Sequence, residues 1–160
     1  MAAQAPVIHL ASHSPRRQAL LRQACIPFAT VPVEVDERPH GPDETPEMLV
    51  LRLALAKARA GWLQVRRQQP LPVLAADTVV ALDDAVFGKP ADREEAAELL
   101  RRLSGRTHRV LTGVALVDDR EATRLSFSMV TFRALSDADI VHYCRSGEPD
   151  DKAGGYGIQG

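Results

Sequence analysis

The sequence predicts an α/β protein whose helices cover a sheet of mixed strand direction. Strand-like and helix-like apolar patterns alternate over the early part of the chain, which is typical of a sheet layered with helices. Two further strand-like segments follow late in the chain with only a short turn between them, which predicts a hairpin. A length of 160 residues is that of one ordinary domain, so we expect a single domain over residues 1–160.

The first half of the chain predicts two strand–helix pairs. An apolar strand at 7–11 leads into a helix with Ser14 at its N-cap and Pro15 at its first position. Ala19, Leu20 and Ala24 are expected on or near one face of this helix, its apolar side. A second strand at 27–33 precedes an acidic turn and a longer helix, which begins after a Thr-Pro pair and has apolar residues at helical spacing.

The second half predicts a buried strand, a helix, a hairpin and a short last helix. The nearly continuous apolar run at 71–82 is typical of a strand covered on both faces. The next helix has Asp92 and Glu95 at capping-box spacing and Gly105 at its end. The remaining elements are strands at 108–117 and 124–135, a helix between Ser136 and Gly147, and a glycine-rich loop.

The composition excludes several classes of protein. Hydrophobic residues make up 45% and charged residues 26%, ordinary values that exclude a disordered tail or a fibre. Twenty basic and twenty-one acidic residues, with only 4% aromatics, exclude a general nucleic-acid binder. No apolar run reaches membrane-span length and the first residues lack the basic region of a signal peptide, so we expect a cytoplasmic protein without a membrane partner. Cys25 and Cys144 fit no disulfide or metal spacing and are expected to be buried thiols.

The segment LASHSPRR at 10–17 is a candidate phosphate-binding turn. A strand that ends in small polar residues and turns directly into a helix exposes backbone N–H groups at the positive end of the helix dipole. Ser12 and Ser14 add hydroxyl groups there, and Arg16 and Arg17 add charged donors. From the spacing alone, an ordinary capped helix with two solvated arginines fits about as well.

Asp77 interrupts the buried run at 71–82. Because an unpaired charge is costly to bury, its carboxylate is expected to face a cation, a metal or a polar cleft. We expect Asp77 at the carboxyl end of a central strand, where open α/β sheets bind ligands, with Thr78 on the opposite face or reaching the same cleft. The alternative from the residues alone is a buried salt bridge to one of the arginines.

Acidic residues follow the second predicted strand. Glu34, Asp36 and Glu37 offer oxygen ligands that suit Mg²⁺, which takes one or two protein carboxylates and completes its shell with water and phosphate. A solvated acidic turn is the commoner explanation of such a cluster.

Lysine occurs only at Lys57, Lys89 and Lys152. Because a compact ammonium on a flexible stem suits a phosphate, lysines kept in an arginine-rich chain are candidates for a binding site. Neighbouring glycines permit close backbone approach at the last two, and Gln159 offers a donor and an acceptor to a base edge. A disordered loop is the alternative interpretation of the last residues.

Together these segments resemble the Maf family of nucleoside triphosphate pyrophosphatases, also called septum-formation inhibitors. The segments that carry the resemblance lie in the family's order over nearly the whole chain: LASHSPRRQALL, VDE, LALAKARA, LAADTVV, GKPADREEA, LSGRTHRVLTGVAL, VTFRALSDADI and EPDDKAGGYGIQG. The resemblance implies a domain similar to the inosine triphosphate pyrophosphatases, with a mixed twisted sheet flanked by helices and two lobes around a deep cleft.

The resemblance also implies an activity and its site residues. Family members cleave a nucleoside triphosphate between its α and β phosphates with the help of a divalent cation, here expected to be Mg²⁺ or Mn²⁺. Asp77 matches the family's proton acceptor, and Asp77 and Glu37 are the expected metal ligands. Arg16, Thr78 and Gln159 match positions associated with base choice and resemble the branch that acts on dTTP and UTP. The expected substrate-binding residues are Ser12, Arg16, Arg17, Lys57, Thr78, Lys89, Lys152 and Gln159.

The resemblance further implies a role in removing non-standard nucleotides, modified pyrimidine triphosphates among them, a role in arresting cell division, and a homodimer. The alternative function is a non-catalytic, nucleotide-binding regulator of septum formation that acts through a protein partner. Release of pyrophosphate from dTTP or UTP separates the two functions.

The sequence departs from the family pattern at a few positions. Asp150 stands where leucine is common, Gly155 where alanine is usual, and His13 replaces a small residue. The sequence ends at Gly160, before the strand and helix that family members carry next, so part of the core is expected to be exposed to water.

Overall fold

The computed structural model of the chain describes residues 4–158. Within this range no helix is both long and apolar enough to cross a membrane. The strands are β1 (Ile8–Leu10), β2 (Phe28–Thr30), β3 (Val73–Leu82), β4 (Ala85–Phe87), β5 (Thr107–Val117) and β6 (Glu121–Thr131). The helices are α1 (Pro15–Gln23), α2 (Pro46–Val65), α3 (Arg93–Leu103) and α4 (Asp137–Arg145), followed by two 3₁₀ helices at Glu148–Asp151 and Ala153–Gly155.

The strands form a sheet of mixed direction, which confirms the predicted α/β class. The strand order is β2, β1, β3, β5, β6, and β4 pairs with β3 outside this path. β1 is parallel to β2, with Ile8 opposite Phe28, and parallel to β3, with Leu10 opposite Leu74. β4 runs antiparallel to β3. The strand that carries Asp77 is therefore central, as predicted.

The late hairpin consists of β5 and β6. At its turn, the Asp118 N–H donates to the Arg120 carbonyl over 2.9 Å. At its open end the hydroxyl oxygens of Thr107 and Thr131 lie 2.8 Å apart. The start of one strand thus lies beside the end of the other, as the sequence predicted.

The chain divides into two compact units. The first comprises the residues up to 77 together with 112–125, and the second comprises 78–111 together with the residues from 126 onward.

In the first unit, helix α2 packs its apolar face, which includes the small residues Ala54, Ala58 and Gly61, on the strands. Its predicted apolar residues Leu49, Val50, Leu53 and Ala54 are all buried. Because small side chains keep a helix close to a sheet, α2 lies near the strands beneath it. The core cluster here contains Ala11, Val31, Ala54, Ala58, Val73, Ala75, Ala115 and Val117.

The second unit is built around α3. The Asp92 carboxylate accepts a hydrogen bond from the Glu95 N–H over 2.8 Å, and Gly105 follows the helix with a φ of +68°, so both predicted helix ends are confirmed. One core cluster contains Val80, Leu82, Phe87, Leu99 and Leu103, and another contains Ala96, Leu100, Ile140 and Cys144.

Two local predictions were wrong, and one strand was not predicted. Leu20 is 61% exposed, and its neighbour Leu21 is the buried residue of α1. Cys25 is exposed, whereas Cys144 is buried and burial raises the pKa of its thiol. β4 is a strand that the sequence analysis did not predict. A three-residue strand carries too little periodicity to be recognised without its partner.

Candidate active site

The candidate site of the first unit begins where β1 ends. β1 stops at Leu10, opposite Leu74, whereas β3 continues to Leu82. Asp77 therefore lies in the middle of β3, and the prediction that it ends its own strand was wrong. The carboxyl end nearby belongs to β1, because β3 runs on to pair with β4. Asp77 still stands beyond a strand end, where α/β sheets carry ligand sites.

Asp77 is buried and paired with a lysine. The residue is 8% exposed, and the Lys57 ammonium donates to its Oδ1 over 2.6 Å. Lys57 comes from α2, and its side chain is only 14% exposed. The carboxylate faces a cation, an outcome that fits both the expected polar site and the alternative of a buried salt bridge, with a lysine in place of the arginine of that alternative. Charges held this far from water interact more strongly than surface ion pairs.

The same ammonium binds a second carboxylate. The Lys57 Nζ lies 2.6 Å from Oε1 of Glu37, whose side chain is 63% exposed. Of the other acidic residues in this turn, Asp36 binds Arg38 over 2.6 Å, and this guanidinium lowers the pKa of the Asp36 carboxyl. Glu37 and Asp77 therefore meet at one cation, while Asp36 belongs to an exposed ion pair.

The turn before α1 brings a guanidinium to the same place. Ser12 is buried, and its hydroxyl accepts hydrogen bonds from the Ser14 N–H over 3.1 Å and from Arg17 Nη1 over 3.2 Å. Burial lowers the pKa of Arg17, the charges of Asp77 and Glu37 oppose that shift, and the charge of Arg16 adds to it. The Arg17 guanidinium therefore interacts electrostatically with both carboxylates.

Ser14 and Arg16 complete the turn. Ser14 occupies the N-cap of α1, as predicted, but its side chain makes no capping hydrogen bond. Its N–H is instead held by the hydroxyl of Ser12. Arg16 is exposed at the first turn of the helix. The hydroxyl that organises this turn is therefore that of Ser12.

Two carboxylates that face one cation are a donor set that suits a divalent cation. In residues 4–158 there is no group of three or more His, Cys, Asp and Glu side chains that could hold a metal by itself. Mg²⁺ needs only one or two protein carboxylates when phosphate and water supply the remaining oxygens. Glu37 and Asp77 are the two carboxylates that could hold such a cation.

The remaining predicted residues belong to the second unit. Thr78 follows Asp77 in β3 and is half-buried, and Lys89 is exposed in the loop after β4. Lys152 donates to the Glu148 carbonyl over 2.6 Å and to the Asp151 carboxylate over 3.2 Å. The Gly154 N–H donates to the Gly88 carbonyl over 2.8 Å, so the loops that carry Lys89 and Lys152 adjoin. Gln159 lies outside the described residues.

The last loop is anchored by residues that were not identified from the sequence. The rings of His108, Phe132 and Tyr156 pack edge to face, and His108 Nε2 lies 2.6 Å from Tyr156 Oη. Burial lowers the pKa of His108 and raises that of Tyr156 to about 12. The Tyr143 hydroxyl accepts from the Gly157 N–H over 2.9 Å. Two tyrosines near the chain end were a signal for such anchoring, since a buried phenol needs a polar partner.

Known proteins resemble this chain over most of its length. The family model described as Maf-like protein matches residues 7–160. A dTTP/UTP pyrophosphatase of Alkalilimnicola ehrlichii is 58% identical over 158 residues, which are 97% of this chain and 78% of that protein. A dTTP/UTP pyrophosphatase of Escherichia coli O157:H7 is 51% identical over 154 residues, which are 96% of this chain and 77% of that protein.

A solved structure shares the fold. A HAM1 protein from Coxiella burnetii covers 97% of this chain and 89% of its own, with a TM-score of 0.59. The sequence identity is 18%, so this likeness supports the architecture alone.

Proposed function

The chain belongs to the Maf family, and from that premise we propose that it is an enzyme that hydrolyses dTTP and UTP to the nucleoside monophosphate and pyrophosphate. The relatives that are 58% and 51% identical are named dTTP/UTP pyrophosphatases. The observation that carries the proposal is the buried pair of Asp77 and Lys57 in the electrostatic field of Arg17. A non-catalytic regulator is not favoured, because these relatives are named as enzymes.

Asp77 is the proposed proton acceptor. A water oxygen attacks the α-phosphorus and gives up a proton to the Asp77 carboxylate. The bond from this phosphorus to the oxygen that bridges it to the β-phosphate breaks, and pyrophosphate leaves with the electron pair. The proton then passes to solvent, which restores the carboxylate. Lys57 orients Asp77 through the hydrogen bond of 2.6 Å.

The cations beside Asp77 serve to bind the phosphates. A nucleoside triphosphate carries about four negative charges, so its site needs several charged donors. Arg17, held by Ser12, and Arg16 at the start of α1 supply two guanidinium groups, and Lys57 supplies an ammonium. These groups stabilise the charge that grows on pyrophosphate as it leaves.

A divalent cation, Mg²⁺ or Mn²⁺, is the proposed cofactor. Glu37 and Asp77 would hold it, because both offer carboxylate oxygens at the same ammonium. When bound, such a cation neutralises phosphate charge and polarises the phosphorus centre.

The substrate contacts proposed for the second unit are Thr78, Lys89, Lys152 and Gln159. Their support is the family motif on which each falls, and Arg16, Thr78 and Gln159 are proposed to choose the base. We also propose that the enzyme acts in the cytoplasm, where nucleoside triphosphates are made and used. The homodimer stays a prediction, which light scattering on the purified chain tests.

The proposal is tested by Asp77→Asn. We expect pyrophosphate release from dTTP to fall by about 10²–10⁴-fold, because the amide cannot accept the proton. The control is Asp119→Asn, the same change at an exposed aspartate of the first unit, which should leave the rate unchanged. If Asp77→Asn keeps its rate within a few-fold of the parent protein, the assigned role is wrong.

A further inference from the structure

We propose that Gly113 is a positioning residue that holds helix α2 at the distance from the sheet at which Lys57 meets Asp77. The inference rests on the proposed function, which gives these two side chains a part in the reaction. Gly113 lies in β5, the neighbour of β3 in the sheet, and it belongs to the first unit together with both side chains.

The backbone of α2 lies directly against Gly113. A Cβ atom on this residue would lie 2.5 Å from the carbonyl carbon of Val50 and 2.8 Å from the amide nitrogen of Leu51, and it would meet the Val50 carbonyl oxygen as well. These are backbone atoms of a helix, which cannot rotate aside as the end of a side chain can. Gly113 does not have the left-handed φ of a turn glycine. The position is glycine because the backbone of α2 leaves no room for a Cβ atom.

The contact at Gly113 is transmitted along α2 to Lys57. Val50 and Lys57 lie about two turns apart on nearly the same side of the helix. Val50 and Ala54 are fully buried, so this side of α2 is the one that packs on the strands. Lys57 Nζ lies 2.6 Å from Asp77 Oδ1, and a lengthening of about 1 Å would carry this distance beyond the hydrogen-bond range of about 2.7–3.2 Å. A helix pushed outward at Val50 therefore draws the Lys57 backbone away from Asp77.

Gly113→Ala is expected to disturb the reaction through this distance. Non-bonded carbon atoms need about 3.5 Å, so the added methyl group moves α2 by about 1 Å. A misplacement of about 1 Å can cost about 100-fold in rate. We expect kcat for dTTP to fall about 10- to 100-fold, with a smaller change in KM because the α1 turn and its arginines are untouched.

Because the chain has only three lysines, NMR can report the surroundings of the Lys57 side chain without an activity assay. With ¹³C at lysine Cε, the NMR spectrum contains one signal each from Lys57, Lys89 and Lys152. In Gly113→Ala we expect the Lys57 signal to move and the other two to stay. The control is Gly41→Ala, where a new Cβ has nothing within 4 Å, and we expect neither its signals nor its rate to change.

A second variant covers the case in which Gly113→Ala does not fold. At Gly61 of α2 a new Cβ would lie 2.8 Å from Val73 Cγ1, 3.1 Å from Val31 Cγ1 and 3.3 Å from Ala11 Cβ, so its shortest contact is longer than the one at Gly113 and involves side-chain atoms only. Gly61→Ala thus pushes the same helix more gently, and the Lys57 signal should move in the same direction by less.

The outcomes separate the two proposals. The role of Gly113 is overturned if Gly113→Ala folds and its Lys57 signal is unchanged. If Gly113→Ala does not fold, an unchanged Lys57 signal in folded Gly61→Ala overturns it instead. A moved signal with an unchanged kcat overturns its link to the reaction. A parent protein that releases no pyrophosphate overturns the proposed function, whereas a moved Lys57 signal would still uphold the contact between Gly113 and α2.

Discussion

At the scale of single residues, the candidate site depends on Lys57. Its side chain is 14% exposed, and it is the cation that Asp77 and Glu37 share. The Asp77 side chain is 12% exposed, so loss of the ammonium would leave a carboxylate that is largely shielded from water. Removal of one partner from a buried pair costs more than removal of both, because it leaves a charge unpaired.

Lys57→Met is therefore expected to lower the free energy of unfolding by about 3 kcal/mol. Asp77→Asn in the same chain is expected to recover most of that loss, because the remaining side chain is then neutral. Urea unfolding of the parent, both single variants and the double variant gives the free energy of coupling between the two side chains. A double variant whose loss equals the sum of the two single losses contradicts the assignment of a coupled pair.

The sequence could predict which residues matter at this scale but not how they pair. Asp77 was identifiable because a carboxylate in an apolar run must find a partner, and Lys57 because the chain contains so few lysines. That these two residues meet depends on the packing of α2 on β3, which joins positions far apart in the chain. The sequence predicts Ser12 as a phosphate contact, and in the structure its hydroxyl accepts a hydrogen bond from Arg17.

At the scale of elements, one ion pair fixes the loop after Glu37 to helix α2. Arg52 of α2 binds the Glu44 carboxylate through Nε and Nη2, over 2.5 and 3.0 Å. Arg52 also donates to the Arg38 carbonyl over 3.1 Å, and the His40 N–H donates to Glu44 over 2.8 Å. The pair thus fixes the chain close to Glu37.

The Glu44 pair predicts a pH dependence of stability. The hydrogen bonds from Arg52 lower the pKa of Glu44 from 4.5 to about 2. A carboxyl whose pKa is lowered by folding stabilises the protein above its unfolded value, and this stabilisation disappears as the pH falls to the folded value. The unfolding free energies of the parent and Glu44→Gln should therefore differ fully above about pH 4.5 and converge near pH 2. A difference that is independent of pH over this range would exclude the pair as its source.

The last loop gives a prediction of its own. Tyr156 Oη is the partner of His108 Nε2, and His108 Nδ1 is buried without a hydrogen-bond partner among the described residues. Tyr156→Phe would remove the hydrogen bond at Nε2 from a buried imidazole, so we expect it to lower the unfolding free energy by about 1–3 kcal/mol. Thermal and urea unfolding measure the loss. A variant as stable as the parent would show that the hydrogen bond contributes nothing net.

The elements were predictable where periodicity and caps agreed. α2, α3 and α4 each begin at a polar residue whose side chain accepts from the first turn, and each was placed from that residue. In α1, the sequence has two adjacent leucines and does not determine which of them faces the core. Leu21 is the buried one, and Leu20 is exposed. The strand that carries Asp77 was predicted at nearly its observed length, but the end of β1 beside Asp77 and the pairing of β4 with the last part of β3 depend on tertiary packing.

At the scale of the whole molecule, positive charge is concentrated near the candidate site, although the net charge of the chain is close to zero. The chain carries a formal charge of −1, yet Arg17 and Lys57 lie near two carboxylates in one unit, and Arg16 lies near Arg17. A protein with this balance attracts a nucleotide over short distances only, because its net field does not favour anions. Binding is therefore expected to depend on contacts at the turn before α1 and on α2, and to be specific to small anions rather than to nucleic acid.

Nucleotide binding should appear as stability of the folded chain. A ligand that binds only the folded state at 100 times its Kd stabilises it by about 2.7 kcal/mol. In Asp77→Asn, which is expected to bind dTTP and turn it over slowly, unfolding with dTTP should shift by this amount, and with thymidine far less. The shift should shrink as salt is raised, because the charges of Arg16 and Arg17 are partly open to screening. Equal shifts with dTTP and thymidine would place the binding energy on the nucleoside and would contradict a site built around the phosphates.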